Sequence, residues 1–220
     1  MTRSWSFRLW VAVGVAAALS VAVPAHAVAP GSEPPTGLHA TGATTTSVDL
    51  AWDTVPGAVS YQVLRGPADG PLVAVGSTTA AAFSDTGLAA GGGYDYAVAS
   101  VRKNGRVSQP SAPVTLQTIP PAPAELQAYF VTADLVALGW RGNVITTSYD
   151  VWRATGAGPL VFLARATAIG PQDPGIEIPA PGYNDTTVSP STTYTYVVYA
   201  VNSAGTSDPS SVTVTTPAAG

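Results

Sequence analysis

Val48-Asp49-Leu50-Ala51-Trp52 is written again 88 residues later as Val136-Ala137-Leu138-Gly139-Trp140, and Ser60-Tyr61-Gln62-Val63 returns at the same offset as Ser148-Tyr149-Asp150-Val151. Further along the order of landmarks holds but the offset grows to 100, taking Asp85 to Asp185, Tyr94 to Tyr194, Tyr96 to Tyr196 and Gly105 to Gly205. The second copy therefore carries twelve extra residues between Trp152 and Asp185, expected to fall within 166–181. A unit written twice sets the architecture before any single motif is read. Ile119-Pro120-Pro121-Ala122-Pro123 separates the copies, because proline lacks the donor that a continuing ladder needs and favours an extended chain. The expected layout is a repeat at 34–118, a stiff proline joint at 119–123, a repeat at 124–216 and a tail at 217–220. Each half is expected to fold alone, with the joint limiting contact between them.

Within each copy apolar side chains alternate with period two, which places them on one face of a strand. Val48, Leu50 and Trp52 form one such face, followed by Tyr61 with Val63 and by Tyr94, Tyr96 and Val98. The second copy repeats it with Val136, Leu138 and Trp140, with Tyr149 and Val151, and with Tyr194, Tyr196 and Val198. Half-buried antiparallel strands fit this pattern and amphipathic helices do not. Asn104-Gly105 reads as a type I′ hairpin turn, which needs positive φ at both central residues. Short strands broken by such turns describe an all-β chain of two β-sandwiches.

These residues resemble fibronectin type III domains of the secreted bacterial kind, an immunoglobulin-like fold. The early tryptophan of that family is matched by Trp52 and Trp140, and its third-strand tyrosine by Tyr61 and Tyr149. Its leucine-x-proline-x-x-x-tyrosine corner is similar to Val188-Ser189-Pro190-Ser191-Thr192-Thr193-Tyr194, whereas the first copy keeps Leu88 and Tyr94 but has Ala90 in place of the proline. The resemblance makes Trp52, Tyr61, Tyr94, Trp140, Tyr149 and Tyr194 structural, with the corner hydroxyls bonded to upstream backbone. It also implies a place beside enzymes that degrade polysaccharides.

Arg3 and Arg8 precede an uncharged run from Leu9 to Val23 and then Pro24-Ala25-His26-Ala27, the pattern of a secretory signal peptide at 1–27 followed by a short linker at 28–33. The rival reading is a membrane anchor, but fifteen residues span only about 22 Å as a helix, against a hydrocarbon core of roughly 30 Å. Cleavage after Ala27 leaves a secreted chain, expected to be monomeric, with no membrane association. That chain holds 7 basic and 13 acidic residues for a net charge of −6, so the basic footprint of a nucleic-acid partner is absent. With no cysteine, disulfide frameworks and zinc–cysteine sites are ruled out.

An active site needs convergent reactive groups, and few are available. His39 is the only histidine after Ala27, so histidine metal clusters are impossible and a serine, histidine and aspartate triad would rest on that one residue. Glu33 and Glu125 sit near the starts of the repeats, Glu177 sits in the insertion, and Asp53, Asp69 and Asp173 sit where turns use aspartate. Asp85 and Asp185 read as turn-stabilising residues rather than calcium ligands. No catalytic, cofactor or metal site is expected. Arg102, Lys103 and Arg106 gather three of the seven basic residues on one hairpin, readable as a solvated turn or as a loop for an acidic partner.

The two copies differ most in aromatics. By parity Trp152 follows inward Val151, and Tyr199 lies between inward Val198 and Ala200, so both should face outward from one sheet where the first copy has Leu64 and Ala99. The readings that stay open are a platform for stacking on sugar rings, or side chains covered either by the neighbouring domain or by the insertion, whose Ile176 and Ile178 need apolar cover. The expected function is a secreted non-catalytic spacer or adhesion protein of the cell envelope or of extracellular polysaccharide metabolism. The alternative is a carbohydrate-binding accessory protein using Trp152 and Tyr199, and a hydrolase comes last. The partner is accordingly an extracellular polysaccharide or a cell-envelope protein.

Overall fold

A computed structural model describes residues 33–142, 146, 148–167 and 181–220. The expected signal peptide, most of the 28–33 linker, and Asp173, Ile176, Glu177 and Ile178 of the insertion lie outside the described residues. All regular elements among the described residues are strands. In the first domain β1 (His39–Ala43), β2 (Ser47–Ala51) and β5 (Ala82–Thr86) form one antiparallel sheet in the order β1-β2-β5. The facing sheet runs β4-β3-β6-β7, from β3 (Ala58–Pro67), β4 (Val73–Thr78), β6 (Gly93–Arg102) and β7 (Val114–Gln117).

The second domain repeats this arrangement. Its three-stranded sheet is ordered β12-β9-β8, from β8 (Ala124–Val131), β9 (Val136–Arg141) and β12 (Gly182–Asp185). Its four-stranded sheet is ordered β11-β10-β13-β14, from β10 (Ser148–Thr155), β11 (Val161–Thr167), β13 (Thr193–Asn202) and β14 (Gly205–Thr215). Register places the extra residues of this copy. Tyr61 pairs with Thr78 and Tyr149 with Ala166, still at an offset of 88, so the insertion falls after β11.

The alternating residues meet between the two sheets of each domain. Val48, Leu50, Trp52, Tyr61, Val63, Tyr96 and Val98 are buried in one core, and Val136, Leu138, Trp140, Tyr149, Val151, Tyr196 and Val198 in the other. Trp52 packs edge-on against Tyr61 with ring centroids 5.4 Å apart, and Trp140 against Tyr149 at 5.2 Å. A ring pair of this geometry adds about 0.5–1.5 kcal/mol beyond the area it buries. The Tyr61 hydroxyl accepts the Val55 N–H at 2.9 Å. Both corner tyrosines are tied to backbone five residues upstream: the Ala89 N–H donates to the Tyr94 hydroxyl at 2.9 Å and the Ser189 N–H to the Tyr194 hydroxyl at 2.8 Å. The corner thus forms in the first domain without its proline.

The hairpin at Asn104-Gly105 differs from its expected type. Gly105 has φ of 78°, but Asn104 is not among the residues with positive φ. The Gly105 N–H donates to the Arg102 carbonyl at 2.8 Å and the Arg102 N–H to the Arg106 carbonyl at 2.9 Å. This is a longer loop with one left-handed glycine, which a bulge accommodates where a two-residue turn would need two such residues. The Asn104 side chain is used instead as an acceptor for the Arg106 N–H.

The joint is also more tightly held than prolines alone would make it. Ile119 donates its N–H to Thr44 and accepts the Gly91 N–H, pinning the start of the linker to the first domain. From the second domain, the buried Asn202 amide donates to the Thr118 carbonyl at 2.8 Å, and the Ser203 hydroxyl donates to Gln117 Oε1 at 2.7 Å. The other end of Asn202 accepts the Ala204 and Gly205 N–H groups, so the residue that shapes the β13–β14 turn also crosses the joint. Ser210 donates its hydroxyl to the Pro123 carbonyl. Contact between the repeats is therefore small but specific, carried by the Asn202 and Ser203 hydrogen bonds.

Candidate functional site

Trp152 and Tyr199 come together on the outer face of the second four-stranded sheet. Val151, Val198 and Ala200 are buried in the core, so the period of the strands turns Trp152 and Tyr199 the other way, each half-buried. In the cross-strand register Asp150 stands opposite Tyr199 on one side and Arg165 on the other, and Trp152 stands opposite Val197 and Phe162. A groove of about 300 Å³ is lined by Asp150, Trp152, Leu160, Tyr199 and Thr206. Of its lining residues Leu160 is 43% exposed, and Phe162, paired with Trp152, is 46% exposed beside it.

Two contacts fix the groove's chemistry. The Phe162 ring meets the Trp152 ring edge-on at 5.3 Å, which holds the indole in one orientation. Arg165 donates from Nε to Asp150 Oδ1 at 2.6 Å and from Nη2 to Asp150 Oδ2 at 2.8 Å, a planar two-point pair that aims the carboxylate. The sequence reading does not single out Phe162, Leu160 or Arg165. Laying β11 on β4 at the offset of 88 would have found two of them, since Phe162 replaces Ala74 and Arg165 replaces Ser77, whereas Leu160 matches Leu72 and carries no such signal.

The basic hairpin stands apart from this groove. Lys103 and Arg106 are exposed, while Arg102 is half-buried and donates to the Pro56 carbonyl at 3.5 Å, its guanidinium lying over the Gly57 turn. Arg102 is thus engaged with its own domain. His39 is exposed on β1 and its ring Nδ1 lies 2.7 Å from the Gly37 carbonyl. Among the described residues no three histidine, aspartate or glutamate side chains converge as metal ligands.

Asp185 does more than stabilise a turn, and Asp85, expected in the same role, bonds to side chains of the facing sheet instead. Arg65 donates to both oxygens of Asp85, at 2.9 and 2.7 Å, and the Tyr96 hydroxyl donates to Oδ2 at 2.8 Å. Arg153 donates to Asp185 Oδ2 at 2.6 Å and the Tyr196 hydroxyl to the same oxygen at 2.8 Å. In the second domain alone, the backbone and hydroxyl of Thr187 also donate to Asp185 Oδ1, the turn contact anticipated from sequence. Each arginine lies over a corner tyrosine, Arg65 5.5 Å from the Tyr94 centroid and Arg153 4.9 Å from that of Tyr194. Because the aspartates belong to β5 and β12 and their partners to the facing sheets, each cluster clamps one sandwich. Burial pushes the Asp185 carboxyl up, but hydrogen bonds from Thr187, Tyr196 and Arg153 outweigh it and leave it below its ordinary range. Burial and the adjacent aspartate raise the Tyr96 and Tyr196 hydroxyls well above theirs. The repetition of the clamp in both copies marks it as part of the fold.

Comparison with known proteins agrees with this architecture. Residues 33–117 match the fibronectin type III domain family. The chain is 46% identical over 84 residues to a poly(3-hydroxybutyrate) depolymerase of Ralstonia pickettii, covering 38% of this chain and 16% of that protein. It is 32% identical over 188 residues to exoglucanase B of Cellulomonas fimi, covering 76% of this chain and 15% of that protein. A two-domain fibronectin type III segment of chicken tenascin covers 84% of this chain and 100% of its own, with 17% identity and a TM-score of 0.42. The chain thus spans only 15–16% of the length of these two bacterial relatives. Residues 33–117 are a fibronectin type III domain, residues 124–216 repeat its strand order and buried landmarks, and the chain is a tandem pair of such sandwiches.

Proposed function

We propose that the protein is a secreted, non-catalytic spacer in extracellular polymer breakdown, two sandwiches held at a set angle. The observation that carries this reading is the joint: the buried bond from Asn202 to the Thr118 carbonyl, with Ile119 pinned to Thr44 and Gly91, resists bending between the domains. The relatives support it from another side. A polyester depolymerase and a glucanase both carry a segment like this one within a much longer chain, so the segment accompanies enzymes whose polymers differ chemically. A shared part that serves either polymer suits spacing better than substrate chemistry. A role outside the cytoplasm is supported by the signal-like pattern of residues 1–27.

The chain has no cysteine, so one introduced at exposed Ser84 and another at exposed Ser211 carry a spin-label pair across the joint. A narrow distance distribution that broadens in Asn202→Ala is the expected result, and a broad distribution in the unaltered joint refutes the spacer. Purified protein should release neither sugar from amorphous cellulose nor hydroxy acid from poly(3-hydroxybutyrate). Release abolished by one carboxylate substitution would make it an enzyme instead.

A further inference from the structure

We propose that the groove over Trp152 and Tyr199 is a subsite for one chain of a neutral polysaccharide. Its floor combines two features that meet in few ligands. The Trp152 and Tyr199 rings, on neighbouring strands, both line it, and the edge-on Phe162 contact restrains the indole before any ligand arrives. Beside them the Asp150 carboxylate offers acceptors only. Arg165 takes one bond on each oxygen, and a carboxylate has about four acceptor positions, so about two remain for incoming donors. Thr206 adds a hydroxyl at the far side.

A pyranose ring matches both features at once. Its axial C–H face is apolar enough to lie on an aromatic ring, and its equatorial hydroxyls donate sideways to a carboxylate and a hydroxyl. A polyester matches only the first, because its carbonyl and ether oxygens accept hydrogen bonds and would cover the two acceptor positions that Arg165 leaves open on Asp150 without donating to them, which is costly. An anionic polymer would face both Asp150 and a chain that carries a net charge of −6 after Ala27. At about 300 Å³ the groove stands at the small end of ligand sites, fitting one or two sugar units of a longer chain rather than a globular partner.

The first domain supplies the internal control. Its equivalent strands pair Leu64 with Ala74 and Ala97, and Gln62 with Ala99 and Ser77, so the same sheet folds there with no ring and no ion pair on that face. The rings of the second domain are thus surplus to what this sheet needs in order to form.

The test uses the full two-domain chain, in the unaltered form and as Trp152→Leu with Tyr199→Ala, which installs the first domain's own residues. Each is mixed with insoluble cellulose, insoluble xylan, insoluble β-1,3-glucan and poly(3-hydroxybutyrate) granules, and the bound fraction is measured with and without the matching soluble oligosaccharide. The expected result is retention on at least one polysaccharide, displaced by its oligosaccharide and weakened at least tenfold in the double variant, whose melting temperature stays within a few degrees. If the double variant does not fold, Tyr199→Ala alone serves, with a loss of retention again expected. Retention on no polysaccharide, retention that the variant leaves unchanged, or retention on the polyester alone overturns the proposal. So does a groove found occupied by a second copy, seen as self-association that the double variant abolishes. The spin-label distance across the joint is independent of these outcomes, so a failed subsite and a failed spacer are separate results.

Discussion

The two domains share an interior and differ on a surface. Trp52 and Trp140, Tyr61 and Tyr149, Asp85 and Asp185, Tyr96 and Tyr196 occupy matching places, touch matching neighbours and make matching bonds. On the outer face of the four-stranded sheets, however, Gln62, Leu64, Ala74 and Ala99 of the first domain correspond to Asp150, Trp152, Phe162 and Tyr199 of the second. Close packing between the sheets holds the interior to a narrow set of shapes, because a change of even one methylene is felt there. The outer face carries no such constraint, and a second copy of a fold is free to change there without losing the fold.

The largest expected effect lies in the shared part. Trp140 is fully buried and Trp52 is 5% exposed, so truncation of either to alanine should cost about 3–5 kcal/mol, with Trp140 at the upper end. Calorimetry of the two-domain chain should show the altered domain melting early while the other keeps its transition. A single shifted transition for the whole chain would mean that the joint couples the domains into one folding unit, and the comparison of two separate sandwiches would break.

The clamps come next. Asp185 is fully buried with its side chain 0% exposed, against 8% for Asp85, and Arg153 is 18% exposed against 29% for Arg65. Removing one partner strands a buried charge, so Arg153→Ala should cost about 2–4 kcal/mol and Arg65→Ala less, since water reaches that pair more easily. The pH dependence follows from the directions of shift. The Asp185 carboxyl is depressed in the folded state, so its contribution is complete above the ordinary aspartate range and is lost as pH falls through the folded value. Tyr96 and Tyr196 are raised, so their contribution is complete below the ordinary tyrosine range and is lost as pH climbs through and beyond it. Both domains should therefore lose stability in strong alkali. Melting curves recorded from pH 2 to 12 check this, and Asp185→Asn should flatten the acid limb of the second domain's curve.

A smaller contrast lies in the corner before the tyrosine. Gly91 has φ of 69° and Ser191, its counterpart, φ of 49°. A side chain in this left-handed region costs about 1–2 kcal/mol, which glycine avoids at the expense of a more flexible unfolded chain. The two terms reverse together, so Gly91→Ser should lower the first domain's stability by up to about 1 kcal/mol and Ser191→Gly should raise the second's by a similar amount. Chemical denaturation of each variant decides it; unequal effects would show that the two corners differ in how they accommodate the side chain.

The sequence made the interior legible because alternation with period two reports burial directly, as at Val48, Leu50 and Trp52. The same parity placed Trp152 and Tyr199 on the outer face. What it could not supply was proximity between strands far apart in the chain. Phe162 meets Trp152 through a bulged register in which Val151 pairs with Ala164 but Trp152 pairs with Phe162, and no local pattern encodes that skip. Arg65 and Arg153 recur at the repeat offset, yet their partners Asp85 and Asp185 recur at another, so the clamp was hidden by the insertion between them. Asn202 reads as a turn residue, and only the approach of the Thr118 carbonyl from the other domain gives it a second role.

The smallest expected effect tests what the outer aromatics cost or contribute in the absence of ligand. Trp152→Leu restores the residue that the first domain carries; it loses the edge-on ring pair with Phe162, worth about 0.5–1.5 kcal/mol, but keeps apolar cover in its place. Trp152→Ala loses the ring pair and that cover as well, so it should cost somewhat more. A double-mutant cycle with Phe162→Ala separates the sources: if the ring pair is the whole contribution, Trp152→Ala becomes nearly silent once Phe162 is gone. If instead Trp152→Ala still costs more than about 1 kcal/mol in that background, the indole has packing partners beyond Phe162, as expected for a side chain whose loss leaves a cavity. The comparison of the domains would then change its meaning, with the second domain's rings serving its packing rather than facing a polymer.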